Sequence, residues 1–343
     1  MTSASGPQVT SHLARFGTDH HFATAPNGWP GVGVVSPCRT GIMGREGYAM
    51  LFGGSNGYFD QYARQDAQAV ATGWAELTTR RHETLGRSCP MVTLFVPNKA
   101  TCMPDCYPTL LPTTATPIFM KLGALLAPDP SVLFSNCLTE MSRPEQRREQ
   151  SPWRFADTRW TDHGAAQTCN EILEAFGLPT IEIHRTQIAA RRLVADLGDR
   201  WPGLPIQEFT TVSAHADLPT PTLTFDPGSP LSVTSVTGYR VGWENPDAPI
   251  DATLLVVGNS FCATGVEPEQ LTWWLARVFR SVSFIWSPAI PTDALKRFKP
   301  DYLLFQTVER FLPSIPQDTL TVDQSDRRFV TANSPTTARA PHG

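Results

Sequence analysis

The feature that most constrains this chain is an alternation of strand-like and helix-like patterns between residues 252 and 306. Residues 253–257 form a continuous apolar run rich in β-branched side chains, as in a strand buried on both faces. An apolar stripe at helical spacing comes next, then an alternating strand pattern, a short helical segment and another buried run. These elements are, in order, Leu271, Trp274, Leu275, Val278 and Phe279; Val282, Phe284 and Trp286; Pro291 to Phe298; and Tyr302 to Phe305. With right-handed crossovers, this β-α-β-α-β order predicts a parallel sheet covered by helices.

Other segments of the chain support the same fold class. Met91 to Val96 is a further apolar run typical of a buried strand, and residues 59–79 have helical character. Residues 164–176 predict a helix that stops at Gly177. We therefore expect an α/β protein.

The domain organisation follows from where these patterns begin and end. Residues 1–36 are polar and punctuated by Gly and Pro, and we expect an N-terminal arm there. Residues 37–316 form the predicted domain, in which residues 204–250 are an irregular or short-stranded insertion because they contain few helix formers. Residues 317–343 are expected to be a C-terminal tail, disordered over about its last 12 residues.

Composition excludes several classes of protein. The 343 residues are 41% hydrophobic and 17% charged, which is enough apolar material to bury a large core. A net charge of −4 without a basic stripe argues against a nucleic-acid partner. No apolar stretch approaches the ~18–20 residues of a membrane span. We see no secretory signal at the start of the chain, so we expect a cytoplasmic location, with most of the seven cysteines free.

The first candidate for chemistry is the turn that follows the apolar run at 253–257. It reads Gly258-Asn259-Ser260-Phe261, and ligands of open parallel sheets bind beyond the carboxyl ends of the strands. A serine on such a turn is well placed as a nucleophile, with backbone N–H groups nearby for an oxyanion hole. The alternative is an ordinary turn in which Ser260 caps the next helix.

The second candidate is the polar stretch that precedes the helix at 164–176. Asp157 could orient a general base, and His163 is the histidine nearest to it in sequence. Thr161 or Asp162 is equally suited to cap the helix. His163 could also be a surface residue on the first helical turn.

Together, these motifs resemble the SGNH-hydrolase-like domain of the alginate O-acetyltransferase family. The family's Gly-x-Ser-(Phe/Tyr) turn is matched at residues 258–261, and its Asp-Thr-His-Trp signature is matched at residues 157–160 as Asp-Thr-Arg-Trp, followed by Gly164-Ala165. Weaker likenesses occur in the same order along residues 38–316; they are residues 44–54, 96–99, 299–301 and 308–312. The resemblance implies a three-layer sandwich with a central, mostly parallel sheet.

The resemblance also implies a reaction and roles for residues. Ser260 would be the nucleophile that carries an acetyl group to a sugar hydroxyl, and Asp157 would be the orienting acid. The base position, however, holds Arg159, which is always protonated near pH 7 and cannot accept the serine proton. Loss of the base from a serine triad costs on the order of 10⁴–10⁶ in turnover.

Either another residue supplies the base or the serine chemistry is lost. His163 is the preferred substitute because of its proximity; His215 in the insertion and His20 or His21 in the arm are alternatives. Arg159 itself could hold an anionic ligand by bidentate hydrogen bonds. It could equally turn outward and pair with Asp157 or Asp162.

We therefore expect an O-acyltransferase that acts on a sugar or a sugar-containing small molecule. An esterase or deacetylase of the same fold, or a binding protein for carbohydrates or anions, is the alternative. Arg159, Trp160, Asn259 and Gly258 are the predicted substrate-binding residues, Trp160 because it could stack on a sugar ring or simply pack in the core. No cofactor is expected, although acetyl-CoA could be the acyl donor. The Cys102 and Cys106 spacing suits a local disulfide, and without a second ligand pair we expect no metal.

Overall fold

The structure is a computed structural model that describes residues 29–54, 56–182, 186–201, 207–214, 218–226, 236–263, 265 and 267–333. Most of the expected N-terminal arm, His20, His21, His215 and the last ten residues of the tail lie outside the described residues.

A seven-stranded sheet is the centre of the described part of the chain, in the order β4-β3-β11-β9-β10-β8-β7. The strands from β4 to β10 in this order are parallel. β8 pairs antiparallel with β10, and the edge strand β7 pairs antiparallel with β8. Two small antiparallel pairs, β1 with β2 and β5 with β6, lie outside it. The strands are β1 Gly41–Met43, β2 Ala49–Leu51, β3 Met91–Val96, β4 Val132–Leu133, β5 Thr186–Val194, β6 Gln207–Ala214, β7 Thr222–Phe225, β8 Arg240–Glu244, β9 Ile250–Gly258, β10 Phe279–Trp286 and β11 Tyr302–Val308.

Helices cover both faces of this sheet. They are α1 Ala67–Thr84, α2 Lys99–Cys102, α3 Pro117–Leu126, α4 Asn136–Met141, α5 Pro144–Glu149, α6 Asp162–Ala175, α7 Leu271–Val278, α8 Ala294–Phe298 and α9 Val322–Asn333. The α/β class and the three-layer arrangement expected from the sequence are confirmed.

The alternation of side chains along the parallel strands creates two separate cores. Leu254 and Val256 of β9 face one core, in which α6 and α7 are packed. Leu255 and Val257 face the other, which contains Trp74 of α1 together with α3 and α8. Since β9 is buried on both sides, it reads in sequence as an unbroken apolar run.

The order of the connections places a candidate site. The crossover from β9 to β10 uses α7 on one face, and the crossover from β10 to β11 uses α8 on the other face. Strand β9 therefore lies between β10 and β11, where the two crossovers leave the sheet on opposite faces. In open α/β sheets the crevice at such a point is where ligands bind.

The structure adds detail to two of the expected segments. Residues 204–250, expected to be irregular or short-stranded, contain the short strands β7 and β8, which extend the central sheet. Packing also continues past residue 316, since α9 lays Val322 and Phe329 against the two cores. Residues 322–333 were not predicted as a helix from the sequence because the segment is mostly polar and buries only a few apolar residues. No helix among the described residues has the length and apolarity needed to cross a bilayer.

A half-buried histidine predicts part of the pH dependence of stability. His82 of α1 bonds through Nε2 to Thr93 Oγ1 at 2.9 Å and through Nδ1 to Ser131 Oγ at 3.0 Å. Burial lowers the pKa of His82, and Arg81 adds to the effect although Asp129 opposes it. The unfolded chain therefore binds a proton that the folded chain resists, and the free energy of unfolding should fall as the pH drops below about 6.5.

The test is urea unfolding of wild type and His82→Gln at about pH 7.5 and about pH 5.5. We expect wild type to lose more stability between the two pH values than the variant does. An equal loss in both proteins would contradict the assignment to His82.

Candidate active site

The Ser260 turn begins where β9 ends, at the carboxyl edge of the sheet. A Cβ on Gly258 would lie 2.8 Å from Gln306 Oε1 and 3.0 Å from Cys262 Sγ, so a larger residue there would displace these buried side chains. The Asn259 N–H donates to the same Gln306 Oε1 at 3.1 Å, and Asn259 Oδ1 accepts from the Phe261 N–H at 3.1 Å. These bonds fix the backbone on both sides of Ser260.

Ser260 itself is partly exposed on this turn. The next helix, α7, begins only at Leu271 and has Gln270 as its N-cap, so Ser260 does not cap it. Among the described residues none hydrogen-bonds to the Ser260 hydroxyl. The hydroxyl is therefore available to a ligand, and no general base is in contact with it in this part of the chain.

Asp157 and Arg159 form a closed ion pair. The Asp157 carboxylate accepts the Arg159 backbone N–H at 3.0 Å, Nε at 2.9 Å and Nη2 at 3.0 Å, and Arg154 Nη1 lies 3.7 Å away. Burial acts to raise the pKa of Asp157, but Arg159 and Arg154 outweigh it and hold that pKa well below its usual range. Asp157 is thus a permanent anion, and Arg159 occupies its accepting oxygens.

This pairing bears on the sequence hypotheses for Arg159. Of the two roles considered, anion binding or pairing with a neighbouring aspartate, the structure has the second, with Asp157 as the partner. Arg159 retains 29% exposure of its side chain. It is not among the residues that line the cleft described below.

The loop that carries Asp157 is held by buried polar groups. Lys99, at the start of α2, donates Nζ to the carbonyl oxygens of Ala49 at 2.9 Å and Arg154 at 2.6 Å. Thr158 donates its N–H to Asp196 Oδ1 at 2.7 Å and its hydroxyl to Asp196 Oδ2 at 2.5 Å. These contacts fix the loop independently of any ligand.

Trp160 joins this loop to the Ser260 turn. Its ring meets Phe261 edge-on with centroids 4.7 Å apart, and its Nε1 donates to the Glu269 carbonyl at 2.7 Å. Trp160 is completely buried. Of the two roles considered for Trp160, the structure has core packing, and the ring has no exposed face on which a sugar could stack.

His163 lies on the first turn of α6. Thr161 caps this helix, accepting the Gly164 N–H on Oγ1 at 3.3 Å, as one of the sequence alternatives anticipated. The His163 N–H donates to Asp162 Oδ1 at 2.8 Å, and the side chain is half-buried with Nδ1 inside the protein. The contacts that link the two loops run through Trp160 and Phe261 instead, so the role of His163 as a base stays a prediction.

A cleft of about 660 Å³ opens beside the Ser260 turn. Among its lining residues are Gly258, Asn259, Ser287, Gln306, Arg310 and Phe311. They come from the carboxyl ends of β9, β10 and β11 and from the segments that follow. The predicted substrate-binding residues Gly258 and Asn259 thus do line a cavity large enough for a small organic ligand.

Arg310 connects the cleft to both loops. Its Nη2 donates to Thr158 Oγ1 at 3.4 Å, and its guanidinium lies 5.4 Å from the centre of the Phe261 ring. Sequence reasoning did not select it as a site residue. The available signal was its position a short distance after the predicted strand at 302–305, at the sheet edge where Ser260 was already expected.

Comparison with known proteins identifies the fold but no close relative. No family model matches this chain, and no curated protein matches it. Among solved structures, Bacillus cereus PatB1, determined with a sulfonyl adduct, is 13% identical, and the match covers 78% of this chain and 94% of PatB1 with a TM-score of 0.50. The O-acetyltransferase domain of Pseudomonas putida AlgJ is 15% identical, with 85% and 97% covered and a TM-score of 0.49.

This chain has an SGNH-like fold. A DHHW family protein from Eubacterium siraeum also matches, at 13% identity over 81% of this chain and 96% of that one, with a TM-score of 0.49. At such identities the likeness concerns the arrangement of strands and helices. It does not extend to the reaction.

Proposed function

We propose that this protein transfers an acyl group to a hydroxyl of a small carbohydrate-like molecule through an ester on Ser260. The observation that supports the proposal is the Ser260 turn. Its hydroxyl is partly exposed and unbonded among the described residues, and its neighbours Gly258 and Asn259 line the cleft. A serine at the carboxyl end of a parallel strand is well placed for attack on an acyl donor.

The proposed chemistry has two steps. Ser260 Oγ attacks the acyl carbonyl, its proton passes to a base, and the donor leaves with a proton as an alcohol or a thiol. An acceptor hydroxyl then attacks the serine ester, which releases the acylated product and returns the proton to Ser260. Acetyl-CoA is a suitable donor for a protein in the cytoplasm, the location we propose.

The proposed mechanism needs a general base for Ser260, and Asp157 is not free to orient one. In a serine triad an aspartate orients a histidine, but Asp157 is bound to Arg159 on both carboxylate oxygens. His163 remains the proposed base because it follows Asp157 on the adjoining helical turn. Acylation of Ser260 should accordingly be slow compared with a complete triad.

The same ion pair favours a second function. A protein that binds a carbohydrate or an anion in the cleft without acylating Ser260 needs no base, and Arg159 would then serve only to fix the loop. If the acyl-enzyme forms but water outcompetes every acceptor, the protein is instead an esterase. Partition of the acyl group between water and added sugars separates transfer from hydrolysis.

The test is intact-protein mass spectrometry after incubation with p-nitrophenyl acetate or with phenylmethylsulfonyl fluoride. We expect wild type to gain about 42 Da, one acetyl group, from the ester, and Ser260→Ala to gain nothing. Ser281→Ala, which removes a serine of β10 that bonds to Glu244, is the matched control and should behave as wild type. Wild type without any adduct, while folded by circular dichroism, would leave binding as the function.

A further inference from the structure

The cleft contains a buried cation that makes no contact with an anionic group among the described residues. Arg310 is only 7% exposed and lines the cleft just after β11. Of its five N–H groups, only two have partners among the described residues. Nη1 donates to Asn98 Oδ1 at 3.2 Å and Nη2 to Thr158 Oγ1 at 3.4 Å, and both acceptors are neutral oxygens.

The electrostatics around Arg310 are those of an incompletely neutralised charge. Burial lowers the pKa of Arg310, the carboxylates of Asp196 and Asp157 counter that effect, and Arg159 adds to it. Asp157 is already paired with Arg159, and Thr158 lies between Arg310 and Asp196. A buried guanidinium in such a position gains most from an anion that enters the cleft.

A second buried donor lines the same cleft. Gln306 of β11 is 1% exposed, and its Oε1 is used by the Asn259 N–H and by Cys262 Sγ. Because Oε1 is the acceptor in both contacts, the other atom of the amide is the donor Nε2. Nε2 has no hydrogen-bond partner among the described residues. A buried donor without a partner loses free energy that a ligand oxygen would restore.

We propose that Arg310 and Gln306 form an oxyanion subsite that takes the carboxylate of a polyhydroxylated ligand in the cleft. One guanidinium and one neutral amide match a planar group with a single negative charge. A doubly charged phosphate would instead bring excess negative charge close to Asp157 and Asp196. The choice of a hydroxyl-bearing ligand rests on the proposed acyl transfer, whereas the anion subsite rests on the cleft alone.

The cleft also contains charged groups at its rim, which the test must separate from Arg310. Arg64 lines the cleft but is held by Asp66 through two bonds, Nε to Oδ1 at 2.8 Å and Nη2 to Oδ2 at 2.5 Å. Asp60 lines the cleft as well and is exposed. A ligand bound by the rim would depend on Arg64, and one bound by the buried subsite would depend on Arg310.

The experiment is isothermal titration of the full chain with quinate and with its methyl ester, which keeps the hydroxyls but lacks the charge. We expect wild type to bind quinate at least about 10-fold more tightly than the ester, and Arg310→Gln to lose that preference. Arg297→Gln is the control. It removes an exposed cation of α8 that is paired with Asp323 and does not line the cleft, so it should retain the preference for quinate. Inorganic phosphate, titrated separately, should bind more weakly than quinate.

Arg310 also packs inside the protein, so a second variant keeps the test decisive if Arg310→Gln does not fold. Gln306→Glu retains the acceptor for the Asn259 N–H but replaces the Nε2 donor by a negative oxygen, and it should abolish the preference for quinate. Equal binding of quinate and ester, no binding of quinate, tighter binding of phosphate, or loss of the preference in Arg64→Gln would each overturn the subsite.

Failure of the subsite and failure of the proposed function are distinguishable. No acyl donor is present in the titration, so the carboxylate preference is measured without the serine chemistry. A carboxylate preference in a protein that never forms an adduct on Ser260 would keep the subsite and reject acyl transfer. An adduct on Ser260 without a carboxylate preference would do the reverse.

Discussion

Arg159→His is expected to raise the rate of Ser260 acylation by p-nitrophenyl acetate by at least about 100-fold, the lower range for a positioned general base. Arginine cannot accept a proton near pH 7, whereas imidazole can. The substitution also releases Asp157 from its bidentate partner, and the free carboxylate can then orient the new imidazole. The rate is read from p-nitrophenol release and from growth of the acetyl adduct in the mass spectrum.

Two controls separate base catalysis from a general loosening of the loop. Arg159→Gln releases Asp157 without supplying a base, so its acylation rate should stay near that of wild type. The double variant Arg159→His with Ser260→Ala should form no adduct. If Arg159→His and Arg159→Gln behave alike, the residue at position 159 does not lie where a base could serve Ser260.

The same series tests His163 as the present base. If His163 accepts the serine proton in wild type, His163→Gln should reduce acylation of Ser260, and its effect should shrink once Arg159→His supplies a new base. An unchanged rate in His163→Gln would leave the slow chemistry of wild type without an assigned base in the described part of the chain.

The parallel core of the fold was predictable because its strands are buried on both faces. Residues 253–257 and residues 91–96 are unbroken apolar runs, which few structures other than a central strand require. The antiparallel strands β8 and β7 were not placed in the sheet, since the alternation of β7 is only four residues long and all four residues are exposed. The helix α9 was missed for a similar reason, because it needs only a few apolar contacts.

The site was predictable in part, for reasons of geometry. Residues that follow strands of one parallel sheet meet at its carboxyl edge, so the position of Ser260 could be anticipated. Side-chain directions could not. Trp160 turned inward against Phe261, Arg159 turned to Asp157, and the buried cation that lines the cleft is Arg310. Each of these choices depends on neighbours that are distant in sequence.

Arg159 stands where the sequence resemblance implies a histidine, and this difference concerns the electrostatics of the site as well as its proton chemistry. In a triad the aspartate meets a neutral imidazole, whereas Asp157 here meets a permanent cation. The loop gains a strong ion pair and gives up a proton acceptor. The Asp157–Arg159 pair therefore fixes the loop but offers Ser260 no proton acceptor.

Glu309→Ala is expected to lower the free energy of unfolding by roughly 3–5 kcal/mol, the range for removing one partner and leaving buried polar groups unpaired. Glu309 is completely buried, and its carboxylate accepts the Asn98 N–H at 2.8 Å, the Thr101 hydroxyl at 2.5 Å and the Thr116 N–H at 2.7 Å. Burial raises the pKa of Glu309, and these three donors oppose the rise. The measurement is urea unfolding near neutral pH.

Glu309→Ala should disturb the loops that Glu309 joins, and through Asn98 it should also affect the position of Arg310 in the cleft. Without the carboxylate, the backbone N–H groups of residues 98 and 116 stay buried and unpaired. The backbone of Asn98 is then no longer fixed, and its side chain is less well placed to accept the hydrogen bond from Arg310 Nη1. Glu140→Ala, which removes an exposed glutamate paired with Arg143, should cost no more than about 0.5 kcal/mol. The loss of stability in Glu309→Gln should lie between those of the two alanine variants. The amide keeps one acceptor oxygen, but its NH2 group would face the donors that the second carboxylate oxygen now accepts. If Glu309→Ala were as stable as Glu140→Ala, the three bonds would not hold these loops, and the placement of Arg310 in the cleft would need another cause.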